Sequence, residues 1–227
     1  MIVAHPDDVE YGAAAAIATW SAEGRTLSYV LVTRGEAGID GVAPAEAAPL
    51  REAEQRASAA AVGVDSVEFL DHRDGVIEDG PALRRDLAAA IRRHRPELVV
   101  TLNHHDTWGP GTWNSADHRV VGRAVLDAAS DAGNRWIFED LVGQGLQPWG
   151  GVRWVAVAGS TDATHAVDVS GALERAVASL AAHRSYLEGL DDRPAEEQAR
   201  EWVTRVTSWA AERFGGVPAV AFELIVR

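Results

Sequence analysis

The sequence predicts an α/β fold of Rossmann-like type, a mainly parallel β-sheet flanked by helices, with its active site at the carboxyl ends of the strands. Three observations lead there. Short apolar runs of strand length alternate with longer stretches of helical pattern. Helix punctuation falls at Pro81, Gly24 and Gly63. The segments that follow successive strands collect His, Asp, Glu and Arg. Alternation of this kind implies parallel strands joined by right-handed crossovers. In open α/β sheets ligands bind beyond the carboxyl ends of the strands, where these polar segments lie.

In chain order, Ile2-Val3-Ala4 reads as the end of a buried strand. It is short against the usual strand of about five or six residues, so the natural start is expected upstream or the strand trimmed. A helix is expected from about Glu10 to Glu23, stopped by Gly24, and Leu27 to Thr33 forms a second strand rich in β-branched residues. Leu50 to Val62 is helical, with Gly63 where a left-handed residue is wanted. Val67 to Leu70 is a third strand. Pro81, suited to a first helical turn, opens a helix running to about His94. Leu98 to Leu102 is a fourth strand and Asp117 to Ala132 a helix. The second half is less regular: strands over Trp154 to Ala158 and Val167 to Val169, a helix over Leu173 to Leu187, and a closing strand over Val220 to Val226. The eight Trp residues fall mostly here and read as core or rim packing. Gly38 to Pro49 and Asp106 to Trp113 carry no element assignment.

A chain of 227 residues that is 47% hydrophobic can build a sizeable core. No repeat, linker or low-complexity tract divides it, so residues 1–227 read as one domain. The basic residues number 21, all Arg, against 34 acidic ones, a formal charge of −13. Such a surface repels phosphate backbones and anionic lipid, which argues against nucleic acid and membrane partners. With no cysteine, disulfides, thiolate metal sites and cysteine nucleophiles are excluded. No signal-peptide pattern opens the chain and no apolar run approaches the ~18 residues of a membrane span, so a soluble cytoplasmic protein is expected. Oligomeric state is not legible.

The chemistry concentrates after the strands. The first is followed by His5, Asp7 and Asp8; the second by Arg34 and Glu36; the third by Asp71, His72, Arg73 and Asp74; the fourth by Asn103, His104, His105 and Asp106. His5 and Asp8, three residues apart where a strand turns into a helix, can face one ion. A divalent cation such as Zn²⁺ accepts imidazole and carboxylate together. Asp7 between them is placed to act as general base toward an activated water. An isolated Asp-Asp pair would read as a helix cap; His-Pro directly before it, after a buried strand, shifts the reading to a metal site. A third ligand is needed, and His118, in the first turn of a helix after the fourth strand, is the best placed.

The run Ala4-His5-Pro6-Asp7-Asp8-Val9-Glu10-Tyr11-Gly12 resembles the opening of the PIG-L/LmbE-like family, zinc-dependent N-acetyl-sugar deacetylases. The resemblance continues through Thr33 to Glu36, Arg51 to Glu54, Val62 to Val64, Asp74-Gly75, Arg95-Pro96, Asp117-His118 and Ala182 to Ser185, about 190 residues in order. It implies zinc, or another divalent metal, on His5, Asp8 and His118, with Asp7 as general base. It also implies substrate contacts from Arg51 and Asp74; a solvated helix residue and a turn residue before Gly75 are the plainer readings of those two. His183 reads as structural. One departure stands out: where many members have His-Pro-Asp-His, this chain has Ser115 at the first histidine. Serine there suits an N-cap, and an oxyanion or second-shell role falls to Ser115, His104 or His105.

The expected activity is therefore removal of an N-acetyl or similar N-acyl group from an amino sugar or related small molecule. Two other classes stay open. A non-catalytic sugar- or small-molecule-binding protein on the same fold is motivated by Ser115. A metal-dependent phosphoesterase is motivated by the paired aspartates, though no Gly-rich phosphate cradle accompanies them.

Overall fold

The structure, a computed structural model, describes residues 1–227. Its elements in order are β1 (Ile2–Val3), α1 (Asp8–Gly12), α2 (Ala14–Ala22), β2 (Ser28–Leu31), α3 (Pro44–Ala61), β3 (Ser66–Phe69), α4 (Pro81–His94), β4 (Leu98–Leu102), β5 (Thr107–Gly109), β6 (Thr112–Trp113), α5 (Ala116–Asp131), α6 (Glu139–Gly143), β7 (Trp154–Ala158), β8 (His165–Asp168), α7 (Leu173–Ala181), α8 (Arg184–Leu190), α9 (Ala195–Arg213) and β9 (Ala219–Val226). The α/β class and the parallel sheet are as the alternating pattern implied.

β1, β2 and β3 pair in parallel, Ile2 opposite Val30 and Ser28 opposite Ser66. β4 and β7 pair in parallel, and β9 and β8 extend that sheet antiparallel in the order β4-β7-β9-β8. β1 packs beside β4, which brings the two sheets edge to edge. The period of two along each strand sorts side chains onto two cores. Val3, Leu31, Val100 and Ala156 face one apolar cluster with residues of α2, α7 and α9. Ile2, Ala4, Val30, Val99 and Val155 face another, closed by α4 and α5. The result is a helix–sheet–helix layering.

Several boundaries differ from the sequence reading. α3 starts at Pro44 in its first turn, six residues before Leu50, and runs through Pro49, whose missing N–H costs only one bond near the helix start. The helix expected over Glu10 to Glu23 is two, broken at Ala13, whose φ of −147° and ψ of 0° are not helical. There Gly12 packs against Leu102, and a Cβ on it would come within 2.7 Å of the Leu102 Cδ1. The helix expected over Leu173 to Leu187 likewise breaks at His183. α9 and the β5–β6 hairpin were not expected at all. No helix is long and apolar enough to cross a membrane.

Candidate metal centre and active site

The turn from β1 into α1 carries the site. Asp7 is its N-cap with φ 86° and ψ −24°, a left-handed conformation that Asp tolerates better than most side chains yet at some cost in strain. Four hydrogen bonds hold it there. The Asp7 N–H donates to Gln55 Oε1 at 3.1 Å, and its carbonyl accepts from the Glu10 and Tyr11 amides at 2.9 Å each. Arg51 Nη2 donates to Asp7 Oδ2 at 2.7 Å and to the Pro6 carbonyl at 2.7 Å, while Nη1 reaches the Gly35 carbonyl at 3.1 Å.

Arg51 is not a solvated helix residue: it is 2% exposed, with its guanidinium over the Tyr186 ring at 4.2 Å. The glycines of Thr33-Arg34-Gly35-Glu36-Ala37-Gly38 make room for it. A Cβ on Gly35 would lie 2.5 Å from Arg51 Nη1, and one on Gly38 would collide with the same atom. Burial pushes the Asp7 carboxyl up to about 6, against the pull of Arg51. Burial acts on Asp8 in the same sense, but His118 and His5, when protonated, outweigh it and hold that carboxyl well below the ordinary range.

His5, Asp8 and His118 converge. Asp8 Oδ1 lies 2.9 Å from His118 Nε2, Asp8 Oδ2 lies 3.5 Å from His5 Nδ1, and the two ring nitrogens are 3.2 Å apart. The far side of each ring explains this approach. Asn114 donates through Nδ2 to the Asn103 and His105 carbonyls, which fixes its amide and turns Oδ1 toward His118 Nδ1 at 3.1 Å. His5 Nε2 faces Asp74 Oδ1 at 3.1 Å and Asp117 Oδ2 at 3.2 Å. With those nitrogens carrying the protons, His5 Nδ1 and His118 Nε2 point bare lone pairs at each other beside a carboxylate. Such a donor set fits a divalent cation, and outer carboxylate and carbonyl partners orient metal-ligating imidazoles in this way.

Asp74 therefore does more than turn the chain before Gly75: its Oδ2 accepts from the Ala37 amide at 2.8 Å. Asp117 is equally anchored, accepting from the Gly75 and Ile77 amides at 2.7 and 3.1 Å. Ser115 caps α5, its Oγ accepting from the His118 amide at 3.2 Å.

His5, Asp7, Asp8, Arg51, Asp74, Ser115 and His118 open into a cavity of about 700 Å³. His104 and His105 lie outside its lining. Their ring centroids lie 4.4 Å apart with the planes tilted by 31°, and His105 Nε2 sits 2.8 Å from Glu223 Oε2. His183 is fully buried against Glu10, Nε2 to Oε2 3.3 Å. Glu10 in turn accepts from Gln55 Nε2 at 2.9 Å and Ser58 Oγ at 2.6 Å. A buried polar chain thus runs from His183 through Glu10 and Gln55 to the Asp7 amide.

Sequence reasoning missed Asn114, Gln55 and Glu10, which act through other residues, and Tyr11 and Tyr186, which line the cavity. It passed over Asp117 as a site residue, although the Asp117-His118 pair was the available signal. It also took the tryptophans as packing, whereas Trp108, Trp202 and Trp209 line the cavity and Trp108 meets the His118 ring edge-on at 5.6 Å.

The profile of the PIG-L family, described as GlcNAc-PI de-N-acetylase, matches residues 1–129, more than half of the chain, a span that includes His5, Asp8 and His118. The chain belongs to the PIG-L family. Among PIG-L relatives, the diacetylchitobiose deacetylase of Thermococcus kodakarensis is 30% identical over 187 residues, covering 80% of this chain and 67% of the relative. The 1D-myo-inositol 2-acetamido-2-deoxy-alpha-D-glucopyranoside deacetylase of Thermobifida fusca is 30% identical over 167 residues, covering 60% and 57%. The chain thus spans between about half and two thirds of these relatives' lengths. Among solved structures, the N,N'-diacetylchitobiose deacetylase of Pyrococcus horikoshii superposes with a TM-score of 0.86 at 23% identity, covering 99% of this chain and 82% of that one. GalB, the 4-carboxy-2-hydroxymuconate hydratase of Pseudomonas putida, superposes at 0.74 and 20% identity, covering 100% and 95%. At such identities the likeness is one of fold, and the hydratase shows that the fold alone does not fix the reaction.

Proposed function

We propose that this PIG-L protein hydrolyses an N-acetyl or similar short N-acyl group from an amino sugar or related small molecule, with Zn²⁺ or another divalent ion on His5, Asp8 and His118. The observation that carries the reading is the convergence of His5 Nδ1, His118 Nε2 and the Asp8 carboxylate beside Asp7, at the floor of a cavity in a chain matched by a de-N-acetylase family. The same reading takes residues 1–227 as one domain, because both apolar cores share the strands that carry the site.

A divalent ion bound there supplies Lewis-acid polarisation of the amide carbonyl and lowers the pKa of water toward ~7. Asp7 takes the proton from the attacking water. The same carboxyl, raised by its burial, can then pass that proton to the departing nitrogen. The carbon–nitrogen bond then breaks, releasing carboxylate and free amine. Arg51 fixes the Asp7 carboxylate during both transfers and also borders the cavity, where it is available to substrate. Asp74 orients His5 and also borders the cavity, where it is available to a substrate hydroxyl. Tyr11 and Tyr186 border the cavity as well. Burial, with Asp7 nearby, raises both phenols, so they stay protonated and can donate to the developing oxyanion; the Ser115 hydroxyl, whose oxygen accepts from the His118 amide, keeps its own O–H for the same purpose.

The test combines metal analysis of the purified protein with an acetate-release screen over N-acetylated amino sugars. About one divalent ion per chain is expected, with acetate release that a chelator abolishes and Zn²⁺ restores. Absence of bound metal, together with no acetate from any substrate at saturating Zn²⁺, would overturn the reading.

A further inference from the structure

The cavity does not end at the metal centre. It continues between α9 and β9, along a wall made by Trp202, Val206, Trp209 and Ala210 from the helix and Val220 from the strand. Positions 202, 206 and 209 recur at helical spacing and so share one face of α9. That face is distinct from the Ala195, Ala199, Val203, Thr207, Ala210 stripe that α9 buries, and only Ala210 belongs to both. Trp209, 51% exposed, is thus a large apolar side chain left open on the cavity side.

We infer that this wall is a subsite for a neutral apolar aglycone, so that the substrate is an aryl or alkyl glycoside of the N-acyl amino sugar rather than a free sugar or an oligosaccharide. The inference rests on the deacetylase reading and adds the substrate class. Three features carry it. First, about 700 Å³ lies within the ~300–1,000 Å³ that receives drug-sized ligands, more room than one sugar ring beside the metal needs. Second, the wall offers almost no hydrogen bonding. Its only side-chain polar groups are two indole N–H groups, and that of Trp202 is already spent on the Tyr11 carbonyl at 3.0 Å. Hydroxyls of a second sugar placed there would find only the Trp209 indole N–H on this wall, whereas an apolar group gains by burial against it. Third, the wall is preorganised: the Trp202 ring is held edge-on by Tyr11 at 4.9 Å and covered by the Arg205 guanidinium at 4.5 Å. Asp7, Asp8 and Asp74 at the other end, on a chain of charge −13, disfavour an anionic tail.

The experiment measures kcat/KM of the metal-loaded enzyme on phenyl and hexyl glycosides of N-acetylglucosamine, on free N-acetylglucosamine and on N,N'-diacetylchitobiose. Wild type is compared with Trp209→Ala and Val206→Asp. A parallel titration follows tryptophan fluorescence with hexyl glucoside, which has no amide to cleave. At least a tenfold preference for the apolar glycosides over both other substrates is expected. Each variant should collapse that ratio, and Val206→Asp should weaken the fluorescence titration. Equal or better use of diacetylchitobiose, or a ratio unmoved by both variants, would overturn the subsite, as would a wild-type dimer that Trp209→Ala dissociates without touching the ratio. Saturable hexyl glucoside binding with no turnover of any amide would instead remove the deacetylase reading and leave the subsite standing.

Discussion

Arg51 and Asp7 form an ion pair of 2.7 Å in which both partners are nearly sealed from solvent. The pair joins α3 to the β1–α1 turn across 44 positions of sequence and holds the proposed general base in a backbone conformation that few residues adopt. Removing one partner of a buried pair strands the other charge, and that typically destabilises by about 3–5 kcal/mol.

Arg51→Met should therefore lower stability by an amount of that order and reduce turnover together. Arg51→Lys should restore little, because a single ammonium cannot reach the Asp7 carboxylate and the Pro6 and Gly35 carbonyls at once. Denaturant titration and acetate-release kinetics on the two variants check both statements.

Asn114 sets the proton on His118. Asn114→Ala should leave the fold intact and weaken metal affinity about 10–100-fold, the usual consequence of losing an outer-shell partner. Asp117→Asn should act in the same direction through His5. Competition against a fluorescent chelator reads the affinity directly, and an unchanged affinity in both variants would contradict the orientation argument.

The Glu10–His183 pair gives stability a pH dependence. Burial works to lower the His183 value, but Glu10 more than reverses it and raises the imidazole above 6.5 in the folded protein. A raised folded-state value means that the pair stabilises fully below the unfolded value of about 6.5, and its contribution fades as pH climbs through the folded value. The stability difference between wild type and His183→Gln should accordingly be largest below pH 6.5 and shrink above the folded value. Unfolding measured at a series of pH values checks the sign, and a gap that widens with pH would contradict it.

Much of the fold was legible in the sequence where the physics is local. β2 and β4 lie in apolar runs bounded by polar segments, and α4 announces itself with Pro81 at its start and Arg95-Pro96 at its end. His5, Asp8 and His118 were legible because the carboxyl edge of a parallel sheet gathers the polar residues that leave each strand. α9 was not, since the stripe it buries is mostly alanine and threonine, which carries little hydrophobic signal, while its tryptophans lie on the cavity side. The breaks at Ala13 and His183 were hidden because their flanking residues would continue a helix. There the break is set by Gly12 packing on Leu102 and by the Glu10 contact. The burial of Arg51 and the orientation of Asn114 depend on partners supplied by the tertiary fold, so no local pattern reveals them.

In the proposed reaction Asp7 moves the proton while its neighbours hold the metal. Asp7→Asn is near-isosteric and tolerates the same left-handed backbone, so it separates the two roles. Metal content and acetate release measured on that one variant test this division of roles most directly. Wild-type metal occupancy is expected, with a rate lower by about 10²–10⁴. Full turnover with metal retained, or loss of the metal itself, would contradict it.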